Sequence, residues 1–141
     1  MFKLLFKNKK LYIYTPLVIH WISIFFLTTI PTKSFPKIFA YDDKAKHLIA
    51  FLVLSFFLTL ALRVQNKYRL LKEKFIVFTL LICSFYGIFD ELHQLFVPGR
   101  SAEVLDWVAD FVGTLIGIYL ANKIIKKYSQ YTESELGTQN E

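Results

Sequence analysis

YGIFDELHQLFVPGRSAEVLDWVADFVGTLIG, residues 86–117, joins two apolar segments at a tight turn and crowds ionisable groups around the join. Asp90, Glu91, His93 and Gln94 close the first segment, and Val97-Pro98-Gly99-Arg100 makes the turn. Pro suits the second position of such a turn, and Gly suits a third position that needs φ > 0. Asp106, Asp110, Gly113 and Gly117 then follow at spacings of four, three and four. At ~100° per residue they share an arc of roughly 60° on one helix. That face is acidic at its start and very small further in.

Working outward, the composition makes the two segments membrane spans. Of 141 residues, 55% are apolar, with fifteen Phe and eight Tyr. The length suits one domain. The apolar residues fall in long runs, which a soluble domain of this size has no core to hide. The net charge of +6 does not mark nucleic-acid binding, because the basic residues flank apolar runs and form no stripe on a soluble helix. The one cysteine, Cys83, lies inside a run and reads as a small buried apolar group.

The expected fold is all-α: a polytopic membrane protein built as an antiparallel bundle of four transmembrane helices. Spans are expected over residues 11–30, 47–64, 75–96 and 102–121, each close to the length that crosses a bilayer. Pro16 falls in the first turn of the first span, where its missing N–H costs little. The first run exceeds the usual core of a signal peptide and no small-x-small site follows it, so it reads as uncleaved. His20 reads as a histidine bonded to a neighbouring helix or lying near a polar cavity. Asp42 or Asp43 suits the N-cap of the second helix, and Ser101 that of the fourth. Residues 1–128 make a single transmembrane domain, and 129–141 read as a disordered polar tail.

Charge sets the expected orientation. Lys3, Lys7, Lys9 and Lys10, the loop from Arg63 to Lys74, and Lys123, Lys126 and Lys127 fall on one side. Asp42, Asp43, Asp90, Glu91, Glu103, Asp106 and Asp110 fall on the other, with only Lys33, Lys37, Lys44, Lys46 and Arg100 beside them. The positive-inside rule then puts both termini in the cytoplasm and the acidic cluster at the outer face.

A charge within the apolar slab costs roughly 2.5–3.5 kcal/mol on an insertion scale, so such residues face the bundle interior and find partners there. Gly113 and Gly117 allow close helix approach. The cluster has three readings. Its ion pairs tie the two helical hairpins together; or it holds a metal, a weak signal because no H-E-x-x-H-like spacing is present; or it is a pocket for an anionic or hydroxylated headgroup. In the third reading Lys44 and Arg100 grip the anion and an Asp–His pair handles protons. No nucleophile and no phosphate-cradling Gly loop stands out, so neither a catalytic residue nor a cofactor or metal is assigned.

These residues resemble the VanZ-like family. The likeness rests on Asp43-Lys44-x-x-His47 opening the second span, on Asp90-Glu91-x-His93-Gln94-x-Phe96-x-Pro98-x-Arg100, and on Asp106 and Asp110 followed by Gly113 and Gly117. One departure is Asp110, where the resemblance implies Asn in many relatives. The resemblance implies a small bacterial membrane protein with a four-helix core, and the family's namesake is associated with resistance to the lipoglycopeptide teicoplanin. The candidate outer-face site is therefore Asp43, Lys44, His47, Asp90, Glu91, His93, Gln94, Arg100, Asp106 and Asp110, with Gly113 and Gly117 as packing residues. The leading expectation is a multi-pass protein of the cell membrane whose partners are membrane lipids or a lipid-linked envelope precursor, with turnover left open. The runner-up is a non-catalytic structural or partner-binding protein whose charges only tie helices. A proton-coupled carrier ranks last, since the first two spans hold few charges.

Overall fold

The computed structural model describes residues 8–31 and 42–137, the stretch 131–137 by its backbone alone. Expectations for Lys3, Lys7, the loop over residues 32–41 and the last four residues lie outside the described residues. Among the described residues the chain is helical, with no strand. We label the helices α1 (Thr15–Thr29), α2 (Asp42–Val64), α3 (Arg69–Glu73), α4 (Phe75–Gln94) and α5 (Val104–Gly137). Four segments are long and apolar enough to cross a membrane: Lys10–Thr29, Asp42–Val64, Phe75–Gln94 and Val104–Gln130.

Several boundaries differ from expectation, each for a local reason. A wider turn of π type, Lys10–Tyr14, precedes α1. Pro16 therefore lies inside a continuous helical segment rather than at its start. In a regular helix its ring would press on the carbonyl four residues back, and the wider turn makes room. The Thr15 hydroxyl closes that turn on Lys10 O at 2.9 Å. α2 begins at Asp42, five residues before the apolar run, and the i,i+4 pair of Asp42 and Lys46 at 2.8 Å supports the added turn. Both aspartates sit in the first turn, near the positive end of the helix dipole. α5 starts at Val104, so Ser101 does not cap it. α5 also runs through Gly137. Extending an existing helix needs no new nucleus, and Lys, Glu and Gln are adequate helix formers.

α2 and α5 share the most extensive interface. A methyl group added at Gly113 would strike the Leu48 carbonyl, and one at Gly117 would strike the Leu52 carbonyl and the Ser55 hydroxyl. The two glycines thus let backbone meet backbone, as small-xxx-small spacing does in membranes. On α4, Gly87 leaves room for the side chains of Asp110 and Trp107. Phe51, Leu54, Leu58, Leu60, Cys83 and Ala121 fill the core, with Ile13, Leu17 and Ile24 added by the first segment. The outward faces are apolar: Val18, Ile19, Phe26, Phe85, Leu115 and Tyr119 are all exposed.

Hydrogen bonds stitch the helices together. Thr59 reaches Thr79 at 3.3 Å, Trp107 Nε1 donates to Ser84 O at 3.3 Å, and His20 Nε2 meets Ala50 O at 2.9 Å, the first of the two readings for that histidine. Lys9 Nζ donates to Val64 O at 3.0 Å, bringing the start of the first segment to the end of α2, as antiparallel neighbours require.

Candidate functional site

One end of the bundle gathers the end of α1, the starts of α2 and α5, and the end of α4. Two helix N-termini, each carrying about half a positive charge, lie there. The sequence places carboxylates where those ends meet. Asp42 and Asp43 lie in the first turn of α2, Asp106 in that of α5, and Glu103 just before it. Glu91, at the end of α4, accepts from the Glu103 N–H at 2.7 Å. A carboxylate from a neighbouring helix thus stands at the start of α5, in the place expected for Ser101.

The ionisable groups form three linked sets. Lys44 Nζ lies 2.8 Å from Asp43 Oδ2, 2.6 Å from Glu103 Oε2 and 2.9 Å from Asp106 Oδ1. His47 Nδ1 lies 3.0 Å from Asp110 Oδ1, with the two side chains only 10% and 2% exposed. Gln94 Nε2 donates to Asp90 Oδ2 at 3.1 Å, and Arg100 Nη1 donates to Gln94 Oε1 at 3.3 Å. The first two sets join α2 to α5, and so tie one helical hairpin to the other.

Arg100 departs most from expectation. The turn has the anticipated form, with Gly99 at φ 81° and Arg100 N donating to Val97 O at 3.1 Å. The side chain is not a free loop cation, however. Its Nε donates to Ile30 O at 2.9 Å and its Nη2 to Leu27 O at 2.9 Å. Carbonyls at a helix end lack intrahelical donors and carry the negative end of the dipole, so a guanidinium fits there. Burial draws its pKa below the ordinary arginine range, while Asp90, Asp106 and Glu91 pull it back up.

A cavity of about 480 Å³ opens among these groups. Ile24, Leu27, Ala50 and Phe51 supply apolar wall, and Asp42, Asp43, Lys46, His47, Asp90, Gln94, Arg100, Glu103 and Asp106 supply polar wall. Of the anticipated site residues, Asp43, His47, Asp90, Gln94, Arg100 and Asp106 line it, and Asp110 orients His47 from behind. Lys44 and Glu91 stand beside it. His93 lies elsewhere, stacked on Phe25 with ring centroids 4.9 Å apart and on Phe89 at 6.3 Å. The Asp–His pair is therefore His47–Asp110. Sequence reasoning left Asp42, Lys46 and Glu103 out of the site. Glu103 carried a signal, since it sits one turn before the Asp106–Asp110 face.

Both cations of the expected anion grip already have partners. Lys44 is shared by three carboxylates, and Arg100 is committed to two carbonyls and an amide. Among the described residues at this end, seven carboxylates, Asp42, Asp43, Asp90, Glu91, Glu103, Asp106 and Asp110, outnumber Lys44, Lys46 and Arg100. As to metals, donor atoms of His47, Glu91 and Asp106 all lie within 4.8 Å of one another, as do those of Asp43, Glu103 and Asp106.

Fold and site together define a small multi-pass membrane protein with a polar cavity at one end of a four-span bundle. Residues 4–126, most of the chain, match the family described as VanZ/LLP1. The chain belongs to that family. No curated protein and no solved structure matches it.

Proposed function

We propose that this chain is a bacterial cell-envelope protein whose cavity takes the headgroup of a lipid or lipid-linked precursor at the outer face, and that it thereby affects lipoglycopeptide susceptibility. The observation that carries the reading is the two-toned wall of the cavity. Ile24, Leu27 and Phe51 suit the start of an acyl or prenyl chain, and the acidic and amide groups above them suit hydroxyl and amine donors. The charge balance among the described residues favours a hydroxylated or amino headgroup over a bare anion, which narrows the class named from the sequence. The outer-face placement rests on the positive-inside rule, and the link to teicoplanin on the family resemblance.

A second reading has its own support. The Lys44 and His47 pairs join α2 to α5 in the manner of a structural staple. On that view the protein is a non-catalytic partner-binding or structural element.

Photo-cross-linking separates the two. A photoreactive residue replacing Ser101, on the cavity wall, is expected to capture one headgroup class well above its share of the membrane. The same residue replacing Val108, exposed on α5, is expected to sample bulk lipid. Identical adduct profiles at the two positions would reject the headgroup reading and favour the staple.

A further inference from the structure

Buried carboxylates need hydrogen bonds, cations or metal ions. At the polar end two groups of three donors lie close enough to share one ion. In one of them, Asp43, Glu103 and Asp106, the Lys44 ammonium already lies within 2.9 Å of each carboxylate and serves as the cation. The other group is His47, Glu91 and Asp106; Lys44 reaches only its Asp106, at Oδ1, 2.9 Å away, and no described lysine or arginine bonds its Glu91.

The electrostatics of this second group are unbalanced. Glu91 is 8% exposed. Its Oε2 accepts the Glu103 N–H, but its Oε1 is buried with no hydrogen-bond partner. Asp110, 2% exposed, likewise leaves Oδ2 buried and unpartnered after bonding His47. His47 is held at Nδ1 by the Asp110 carboxylate at 3.0 Å. With Nδ1–H donating, the lone pair of the ring sits on Nε2. A carboxylate behind an imidazole is the arrangement that fixes the tautomer of a metal-binding histidine and raises its basicity.

We propose that His47, Glu91 and Asp106 bind one divalent transition-metal ion of the Zn²⁺ or Mn²⁺ type, with Asp110 as the positioning residue for His47. One imidazole and two carboxylates suit these ions better than Ca²⁺, which takes six to eight oxygens. Donors about 2.0–2.2 Å from one ion stand roughly 3–4 Å from each other, so small side-chain shifts from the present 4.8 Å envelope close the site. His47 and Asp106 also line the cavity, which leaves room for water or a ligand atom on the open side of the ion. The three donors come from α2, α4 and α5, so no sequence spacing reveals them. The site stands without the headgroup reading; where both hold, the ion lets an otherwise acidic wall receive a phosphate oxygen.

The test uses tag-free full-length protein in detergent micelles, stripped with chelator and titrated with Zn²⁺, Mn²⁺ or Ca²⁺. Calorimetry and elemental analysis read the binding, and size-exclusion chromatography checks the fold. Wild type is expected to take up about one Zn²⁺ or Mn²⁺ per chain, undisturbed by equimolar Ca²⁺. Glu91→Gln, close in volume, and His47→Ala are expected to weaken binding at least ~100-fold. Asp110→Asn is expected to weaken it ~10–100-fold, the usual effect of losing a supporting carboxylate. His20→Ala, a histidine bonded elsewhere in the bundle, is expected to bind as wild type. Absence of uptake by folded wild type would overturn the proposal, whatever the variants do. So would uptake that survives His47→Ala and Glu91→Gln, and ready displacement by Ca²⁺ would overturn the choice of metal class.

Discussion

α1 and the α2–α5 pair are held in the bundle by different means. α2 and α5 approach through Gly113 and Gly117 until backbone on one helix meets backbone on the other. Their polar contacts are side chain to side chain and carry charge: Lys44 with Glu103 and Asp106, and His47 with Asp110. α1 packs only part of its surface, leaving Val18, Ile19, Ile22 and Phe26 exposed. Its polar attachments run instead between side chains and backbone carbonyls: His20 to Ala50 O, and Arg100 to Leu27 O and Ile30 O. The seam is a shape fit that fails if its volume changes. α1 is a tethered helix that loosens by degrees.

The largest effect is expected at the seam. Gly113→Leu puts atoms where the Leu48 carbonyl stands, and backbone cannot move aside cheaply. The cost is expected to reach or exceed the ~1–3 kcal/mol usual for overpacking. Membrane abundance and thermal unfolding of purified protein read it, and a variant of normal abundance and stability would count against the close approach. Gly99 stands in contrast, since nothing lies within 4 Å of an added methyl group there and its own constraint is the positive φ.

Arg100→Gln comes next. It removes two charge-assisted bonds to the end of α1, worth about 2 kcal/mol together after competition from water. Hydrogen exchange is the discriminating measurement. Amides of α1 are expected to exchange faster while those of α2 and α5 keep their protection. Uniform loss of protection would mean that Arg100 supports the whole bundle and that α1 is not separately tethered. Because Arg100 has this duty, a functional loss in its variants does not by itself indicate an anion site.

His20→Ala is the smallest. It deletes one bond between helices, and such bonds average about 0.6 kcal/mol in membranes. A shift in unfolding of that size, additive with Arg100→Gln, is expected. A shift as large as that of Gly113→Leu would erase the distinction between seam and tether.

This contrast also marks what the sequence could tell. The seam was legible: Asp106, Asp110, Gly113 and Gly117 fall on one arc by simple spacing, and all four are buried in the fold. The spans were legible because each is a long apolar run, and the turn because Pro98-Gly99 has few other uses. The role of Arg100 was not, because its acceptors lie about seventy residues earlier and are backbone carbonyls, which no side-chain pattern encodes. Nor did spacing show that Lys44 would be shared among three carboxylates, since two of them arrive on α5 and its leading loop. The start of α2 was misplaced because Asp42 to Lys46 look like a polar loop, yet they pair with one another or with α5 in ways that favour helix. His93 read as a site residue by its neighbours in sequence, but the helix turns it onto the aromatic side of α4.

The central claim is that the polar cavity opens at the outer face of the membrane. In a Cys83→Ser background, Ser101→Cys places a thiol on the cavity wall and Asn66→Cys places one in the exposed basic loop at the opposite end. A membrane-impermeant thiol reagent is added to intact cells, with lysed cells as the control for reactivity. Labelling of Ser101→Cys on intact cells, with Asn66→Cys reacting only after lysis, is the result this account predicts. Labelling of Asn66→Cys on intact cells, with Ser101→Cys protected until lysis, would contradict it and turn the cavity toward the cytoplasm.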